Sequence, residues 1–349
     1  MKKLKFTLTT LLLIATLVLG LVACGNTQNT TTTTTTDNGG VQTPAEADNV
    51  NVMVFTGTTG FGMAPLMDKA SKGESANKYT FSLESTDVDN VISALINGSV
   101  DIAALPTNAA SLVYNRSEGD VKLLALNTKG VLYLVESGSE KSVSSFEDLR
   151  GKTVYTPVQN PAFVFEALCR QNGLVPGEDI FIDSTNKPAD LKDMVAAGEV
   201  EIAVLPEPMV TIAQKTAANA GGAVTVSLDL TDEWNKAYNN ECQLIQGCVV
   251  VRSEFAETYP ETVRKFLVEY EESINYVNEN PEEASQMIAS QNIFAQAPIA
   301  KLAIPKCNIF FASGEEMKDL LAGYLEALYQ VKPASVGGEL PDDGFYYVK

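Results

Sequence analysis

The residues of this chain that could do chemistry are hydroxyls, carboxamides and one carboxylate, and they gather just after short apolar runs. Thr58, Thr59, Phe61 and Gly62 follow Val50 to Thr56, and Thr86 follows Tyr79 to Glu84. Thr107 and Asn108 follow one proline-ended run and Glu207 another, while Thr156, Gln159 and Asn160 surround Pro157. Such groups donate and accept hydrogen bonds, and a phenyl ring adds a stacking face. They do not assemble a bond-breaking centre. The 349 residues contain no histidine, which removes the usual general base, the imidazole metal ligand and the partner of a Ser or Cys nucleophile. No paired-carboxylate or Ser-Lys motif replaces it. The spacing Gly57, Gly60, Gly62 departs from G-x-G-x-x-G, and no P-loop Gly-Lys-Ser/Thr is present. The candidates therefore fit a site that holds a small molecule; no metal, cofactor or catalytic residue is expected.

Their positions follow from a duplicated unit. Gly98-Ser-Val-Asp-Ile-Ala-Ala-Leu-Pro106 and Gly198-Glu-Val-Glu-Ile-Ala-Val-Leu-Pro206 lie one hundred residues apart and read almost alike. Each follows a helical stretch (Val88 to Asn97; Pro188 to Ala197), passes through a short apolar strand and stops at a proline with polar residues beyond it. In open α/β sheets small molecules bind beyond the carboxyl ends of the strands, so two such units facing each other predict a cleft between two lobes. The remaining pattern alternates in the same way. Strands are expected at Val121 to Leu126 and Val131 to Glu136, with a turn at Asn127 to Gly130, and at Gln246 to Arg252. Helices are expected at Met63 to Lys72, Ala162 to Asn172, Tyr259 to Glu279 and Gly314 to Tyr329. The glycine-rich turn after Thr56 could equally be a tight turn with Phe61 in the core. Asp87 or Asp89 could meet a ligand amine, with helix capping the plainer role. The predicted division is lobe 1 from 50–135 and 246–349, and lobe 2 from 136–245.

Acidic residues outnumber basic ones 44 to 25, for a formal charge of −19, and such a surface repels phosphate backbones, so nucleic acid is not an expected partner. Met1 to Phe6 is basic and Leu8 to Leu19 apolar, the layout of a secretory signal. Leu21-Val22-Ala23-Cys24 then resembles the lipobox of bacterial lipoproteins, which implies cleavage after residue 23 and lipidation of Cys24. Residues 24–49, with the run Thr30 to Thr36, read as a tether of ~25 residues spanning on the order of 25 to 30 Å. Cys169, Cys242, Cys248 and Cys307 are either buried thiols or, for Cys242 and Cys248, a bridge.

Val-Asp-Ile-Ala-Ala-Leu-Pro, Glu-Asp-Leu-Arg-Gly-Lys-Thr-Val and Gly-Cys-Val-Val-Val-Arg, together with Leu-Val-Ala-Cys and the Tyr259-Pro260-Glu261 helix start, resemble the solute-binding lipoproteins of bacterial ABC importers, in the group related to sulfonate, taurine, nitrate and thiamine-precursor binders. The resemblance implies an α/β, two-lobed periplasmic-binding-protein fold of type II with the ligand in the cleft between the lobes. It further implies a monomer held by lipid on the extracytoplasmic face of the bacterial cell membrane, serving an ABC permease and its ATPase. The departure is the absence of arginine from the cleft loops. Lys129 is the nearest cation expected there, and an acidic Glu207 would favour a cationic or amine-bearing ligand. Competing expectations are a ligand-sensing or adhesion lipoprotein and, on the same fold, an enzyme, which the missing histidine disfavours.

Overall fold

The computed structural model describes residues 45–85 and 87–348. In chain order the strands are β1 (Val50–Phe55), β2 (Tyr79–Glu84), β3 (Ile102–Pro106), β4 (Val121–Lys129), β5 (Leu132–Ser137), β6 (Thr153–Pro157), β7 (Phe181–Asn186), β8 (Ile202–Pro206), β9 (Val224–Asp229), β10 (Ile245–Arg252) and β11 (Ile309–Ser313). They form two sheets, ordered β11-β4-β10-β3-β1-β2 and β7-β6-β8-β5-β9. The helices are α1 (Thr58–Phe61), α2 (Ala64–Ser71), α3 (Val88–Ile96), α4 (Thr107–Arg116), α5 (Asn160–Gln171), α6 (Pro188–Ala197), α7 (Met209–Asn219), α8 (Leu230–Ala237), α9 (Ser253–Thr258), α10 (Pro260–Glu279), α11 (Pro281–Ser290), α12 (Ala297–Ala303) and α13 (Gly314–Val331).

The duplicated sequence occupies the same place in both sheets. β3 lies between the parallel β1 and the antiparallel β10. Its copy β8 lies between the parallel β6 and the antiparallel β5. Both strands are buried up to the terminal proline, as strands covered on both faces must be, hence the uninterrupted Ile-Ala-x-Leu. The glycine that opens each copy has φ near +75°, at 75° for Gly98 and 78° for Gly198. It reverses the chain out of the preceding helix in a conformation that costs a side-chain-bearing residue more.

The chain passes from the first sheet to the second between Lys129 and Leu132, and returns from Asp229 through α8 to Ile245. At the first crossing the predicted turn is absent: β4 continues through Asn127, Thr128 and Lys129. Thr128 pairs with Ile309 of β11 and with Gly247 of β10, and Lys129 with Ile245, so two neighbouring strands hold extended a segment whose composition favours a turn. One apolar cluster runs through both sheets, containing Leu105 and Leu123 from the first, Leu134, Val154 and Val204 from the second, and Trp234 and Tyr324 from α8 and α13. Trp234 and Tyr324 are fully buried with ring centroids 5.6 Å apart, a contact that adds to the large area each aromatic buries. The four cysteines among the described residues are all buried free thiols. The considered bridge between Cys242 and Cys248 is thus replaced by separate sites, Cys242 beside Gly323 of α13 and Cys248 inside β10 against the Leu105 carbonyl.

Candidate functional site

The ends of β1, β3, β6 and β8 converge, and the segments after them meet in two polar clusters. In the first, Thr58 at the start of α1 is buried, and its hydroxyl donates to the Glu207 carbonyl oxygen at 2.8 Å. The Glu207 side chain has no solvent exposure. It accepts from the Thr211 amide at 3.2 Å and hydroxyl at 3.0 Å, one turn along α7. Lys306, in the turn before β11, places its ammonium 3.5 Å from the same carboxylate. Burial raises the Glu207 pKa, and the opposing help from Thr211 and Lys306 is the smaller effect. Removal from water therefore outweighs the partners that stabilise the charged form. Tyr133 of β5 adds a bond from its hydroxyl to the Lys306 carbonyl at 3.1 Å.

The second cluster is built from carboxamides. Asn160, at the start of α5, donates from Nδ2 to Asn108 Oδ1 at 3.0 Å and to the Tyr324 hydroxyl at 2.8 Å. Its Oδ1 accepts from Gln246 Nε2 at 3.0 Å, and Gln246 Oε1 accepts from the Val131 amide at 2.8 Å. Thr107 opens α4, fully buried, and donates to the Ile245 carbonyl at 2.5 Å. Thr156 is fully buried at the end of β6, and its hydroxyl has no partner among the described residues. Buried amides and hydroxyls in direct contact set a polar surface of fixed orientation, where a lost partner is costly.

The structure brings Thr58 against Glu207 and Asn108 against Asn160, with Thr107 and Thr156 buried at the ends of the same strands, and places the other candidates elsewhere. Phe61 offers no stacking face: its ring is wholly buried in the core, 6.1 Å from that of Phe294. Gly62 is packed so tightly that a Cβ would lie 2.7 Å from Ile274. Thr59 is half-buried, and its carbonyl accepts from Asn127 Nδ2 at 3.2 Å. Gln159 is exposed at the α5 N-cap with φ 67°. Thr86 and Cys24 lie outside the described residues. Asp87 caps α3 through the Asp89 amide at 2.9 Å, and Asp89 pairs with Arg116. Lys129 rests over the Phe310 ring at 4.9 Å; the cation at Glu207 is Lys306. Sequence reasoning missed Lys306, Gln246, Tyr324 and Thr211. The polar Gln246 opening an apolar strand was the one readable signal.

The profile of the family described as NMT1/THI5 like matches residues 109–284, half of the chain. The chain belongs to the NMT1/THI5-like family. No curated protein sequence matches this NMT1/THI5-like chain, whereas solved structures do. It is similar to an ABC transporter from Parabacteroides distasonis, with 24% identity over 87% of this chain and 100% of that one and a TM-score of 0.71. It is similar to the periplasmic aliphatic sulphonate binding protein SsuA from Escherichia coli, with 15% identity, 86% and 92% coverage and a TM-score of 0.66. The periplasmic nitrate-binding protein NrtA from Synechocystis PCC 6803 is similar at 15% identity, 76% and 71% coverage and a TM-score of 0.53. At these identities the likeness establishes the fold of this NMT1/THI5-like protein, the two-sheet α/β architecture of type II periplasmic binding proteins.

Proposed function

We propose that this chain is the extracytoplasmic substrate-binding component of an ABC importer, which encloses a small polar organic solute between a lobe built on the first sheet and a lobe built on the second, and delivers it to a permease. The observation that carries the reading is the meeting of strand-end segments from the two sheets, Thr58 after β1 on Glu207 after β8 and Asn108 after β3 on Asn160 after β6, beyond the ends of the strands where α/β folds bind ligands. The kinship with structures named as sulphonate- and nitrate-binding proteins supports it. So does the absence of histidine, since a binder needs no general base. Lobe closure around the solute is a hinge motion driven by contacts made only in the closed form. Signal cleavage, Cys24 lipidation and the threonine-rich tether would keep the protein on the membrane near its permease and ATPase.

The ligand chemistry follows from the lining. The oxygens of Asn108, Asn160 and Gln246 each accept one bond within the cluster and keep a second lone pair, both Asn160 N–H groups are already used, and the buried Glu207 carboxylate lies beside Lys306. An oxyanion such as a sulfonate or nitrate can only accept, so it leaves those oxygens facing negative charge. A solute with N–H donors, such as an amine or a nitrogen heterocycle, matches them. The test is thermal unfolding of the purified full chain against a panel of taurine, alkanesulfonates, nitrate, amines and pyrimidine-type heterocycles, with native mass spectrometry for any solute that co-purifies. An N–H-bearing solute is expected to raise Tm by mass action. Stabilisation by nitrate or a sulfonate alone would overturn the ligand class, and a chain that carries and responds to nothing would overturn the binding reading.

A further inference from the structure

The carboxamide cluster has two ends, and both are backbone groups. At one end the Val131 amide, in the crossing between the sheets, donates to Gln246 Oε1 at 2.8 Å. Gln246 Nε2 donates to Asn160 Oδ1 at 3.0 Å, and Asn160 Nδ2 to Asn108 Oδ1 at 3.0 Å. At the other end Asn108 Nδ2 donates to the Ser335 carbonyl at 3.1 Å. An amide side chain is ordinarily ambiguous, because its two ends can exchange. Here a backbone N–H can only donate and a backbone carbonyl can only accept, so each amide has one orientation that satisfies its neighbours. The result is a relay with a direction, and Asn160 is its member from the second sheet's lobe.

Ser335 belongs to the segment that follows α13, residues 332–347, and this segment lies along one face of α4. Asn108, Ser111 and Asn115 share that face, at helical spacings of three, four and seven. Ser111 donates to the Val336 carbonyl at 2.8 Å, and Asn115 to the carbonyls of Val336 at 3.0 Å and Glu339 at 2.7 Å. Gly337 sits at φ 101° where a Cβ would come within 2.8 Å of Asn115 and 3.2 Å of the Leu112 backbone, so a side chain there would lift the segment from the helix. Farther on, Tyr114 donates to Asp342 and its ring lies tilted against Phe345 with centroids 5.2 Å apart, and the Tyr347 amide bonds the Leu123 carbonyl of β4 at 2.9 Å.

We propose that residues 332–347 form a positioning strap for the cleft: the Ser335 carbonyl fixes the Asn108 amide, and the relay through Asn160 and Gln246 couples strap docking on α4 to the lobe crossing at Val131. The Ser335 carbonyl is the strap group that bonds a cleft side chain, Asn108, while Lys332 separately lies over the Phe163 ring of α5 at 5.1 Å; the strap acts on the cleft by orienting Asn108. The significance for a cleft ligand rests on the binding reading above, whereas the coupling itself does not.

Hydrogen–deuterium exchange of the full chain tests it without any ligand. Asn160→Ala cuts the relay in the second lobe, and Asn115→Ala weakens the strap two helical turns from Asn108. Loss of one buried hydrogen bond corresponds to about fivefold in a local opening equilibrium. Asn160→Ala is therefore expected to speed exchange of the strap amides about fivefold, and Asn115→Ala to speed exchange of the 129–132 segment by a similar factor. Asn172→Ala, which removes a bond to the Leu168 carbonyl outside the relay, is the control and should leave both segments at the wild-type rate. Asn160→Asp keeps the shape and the acceptor but loses the donor, and it replaces the alanine variant if that variant does not fold. Strap exchange unchanged by the Asn160 variant, or crossing exchange unchanged by Asn115→Ala, overturns the proposal. A solute panel in which nothing binds overturns the binding reading instead and leaves this result standing.

Discussion

Gly130, in the first crossing between the sheets, packs against Thr231 and Leu244 of the second, and filling it should strain both. A Cβ at residue 130 would lie 2.2 Å from Thr231 Oγ1, 2.8 Å from Leu244 Cδ2 and 3.1 Å from Thr231 Cβ. Ordinary contact begins at 3.4 Å, so about 1.2 Å must be found at the closest atom. The Leu244 methyl can turn aside and the Thr231 hydroxyl can rotate, but Thr231 Cβ moves only with its backbone. That backbone is held by the Thr231 amide bond to Asp229 at 2.8 Å, and Gly130 by the Asn308 side chain on its carbonyl at 2.6 Å. Overpacking of this kind costs about 2 kcal/mol. Thr231→Ala alone should cost about 1 kcal/mol. In the double variant the nearest obstruction is gone, so its loss should fall short of the sum by about 1 kcal/mol, beyond the ~0.5 kcal/mol within which independent sites add. Urea unfolding of the four proteins at constant m-value measures this. A Gly130→Ala protein as stable as the wild type, or a strictly additive double variant, would refute the close-packed crossing.

Two further outcomes follow. Burial raises the Glu207 pKa, so between the ordinary carboxylate pKa and the raised one the folded state holds the extra proton, and stability falls as pH rises through that window. The stability of the wild type relative to Glu207→Gln should therefore improve as pH falls through the raised pKa to the ordinary carboxylate range, at no more than about 1.4 kcal/mol per pH unit, and flatten below it; a difference that worsens as pH falls, or that never changes on acidification, contradicts the buried geometry. Burial likewise pushes the Cys169 thiol up to about 12 and raises those of Cys242, Cys248 and Cys307. A thiol reagent at neutral pH should then label these four only on unfolding, and reductant should leave Tm unchanged; rapid labelling of the native chain would show that they are accessible.

The strands and the duplicated unit were legible because short apolar runs ended by proline are a local signal, and the matching places of β3 and β8 in their sheets reflect it. Tertiary pairing was not. Asn127-Thr-Lys-Gly130 has turn composition, yet β10 and β11 hold its first three residues in a strand. Thr107 and Asn108 were read as a loop because a proline precedes them, whereas that proline caps α4 and they begin the helix. Glu207 stood out as an acid after the second repeat, but its cation lies 99 residues farther on in a turn with no motif. Phe61 shows the opposite error: an aromatic in a glycine-rich turn suggests a ligand face, and the core claims it. Hydrogen-bond partners distant in sequence leave no periodicity, so the relay was invisible until Gln246 and Tyr324 were placed beside Asn160.

The sheet orders have a consequence for the sequence of events as the chain emerges during synthesis. Every strand of the second sheet lies between residues 132 and 229, so that sheet can close once residue 229 is available. In the first sheet β3 and β4 do not pair; β10 lies between them and pairs with both. The half of the protein made first must therefore wait with an unfilled gap between two hydrophobic strands until residues 245–252 arrive. The second sheet can reach its native pairing before the first is complete.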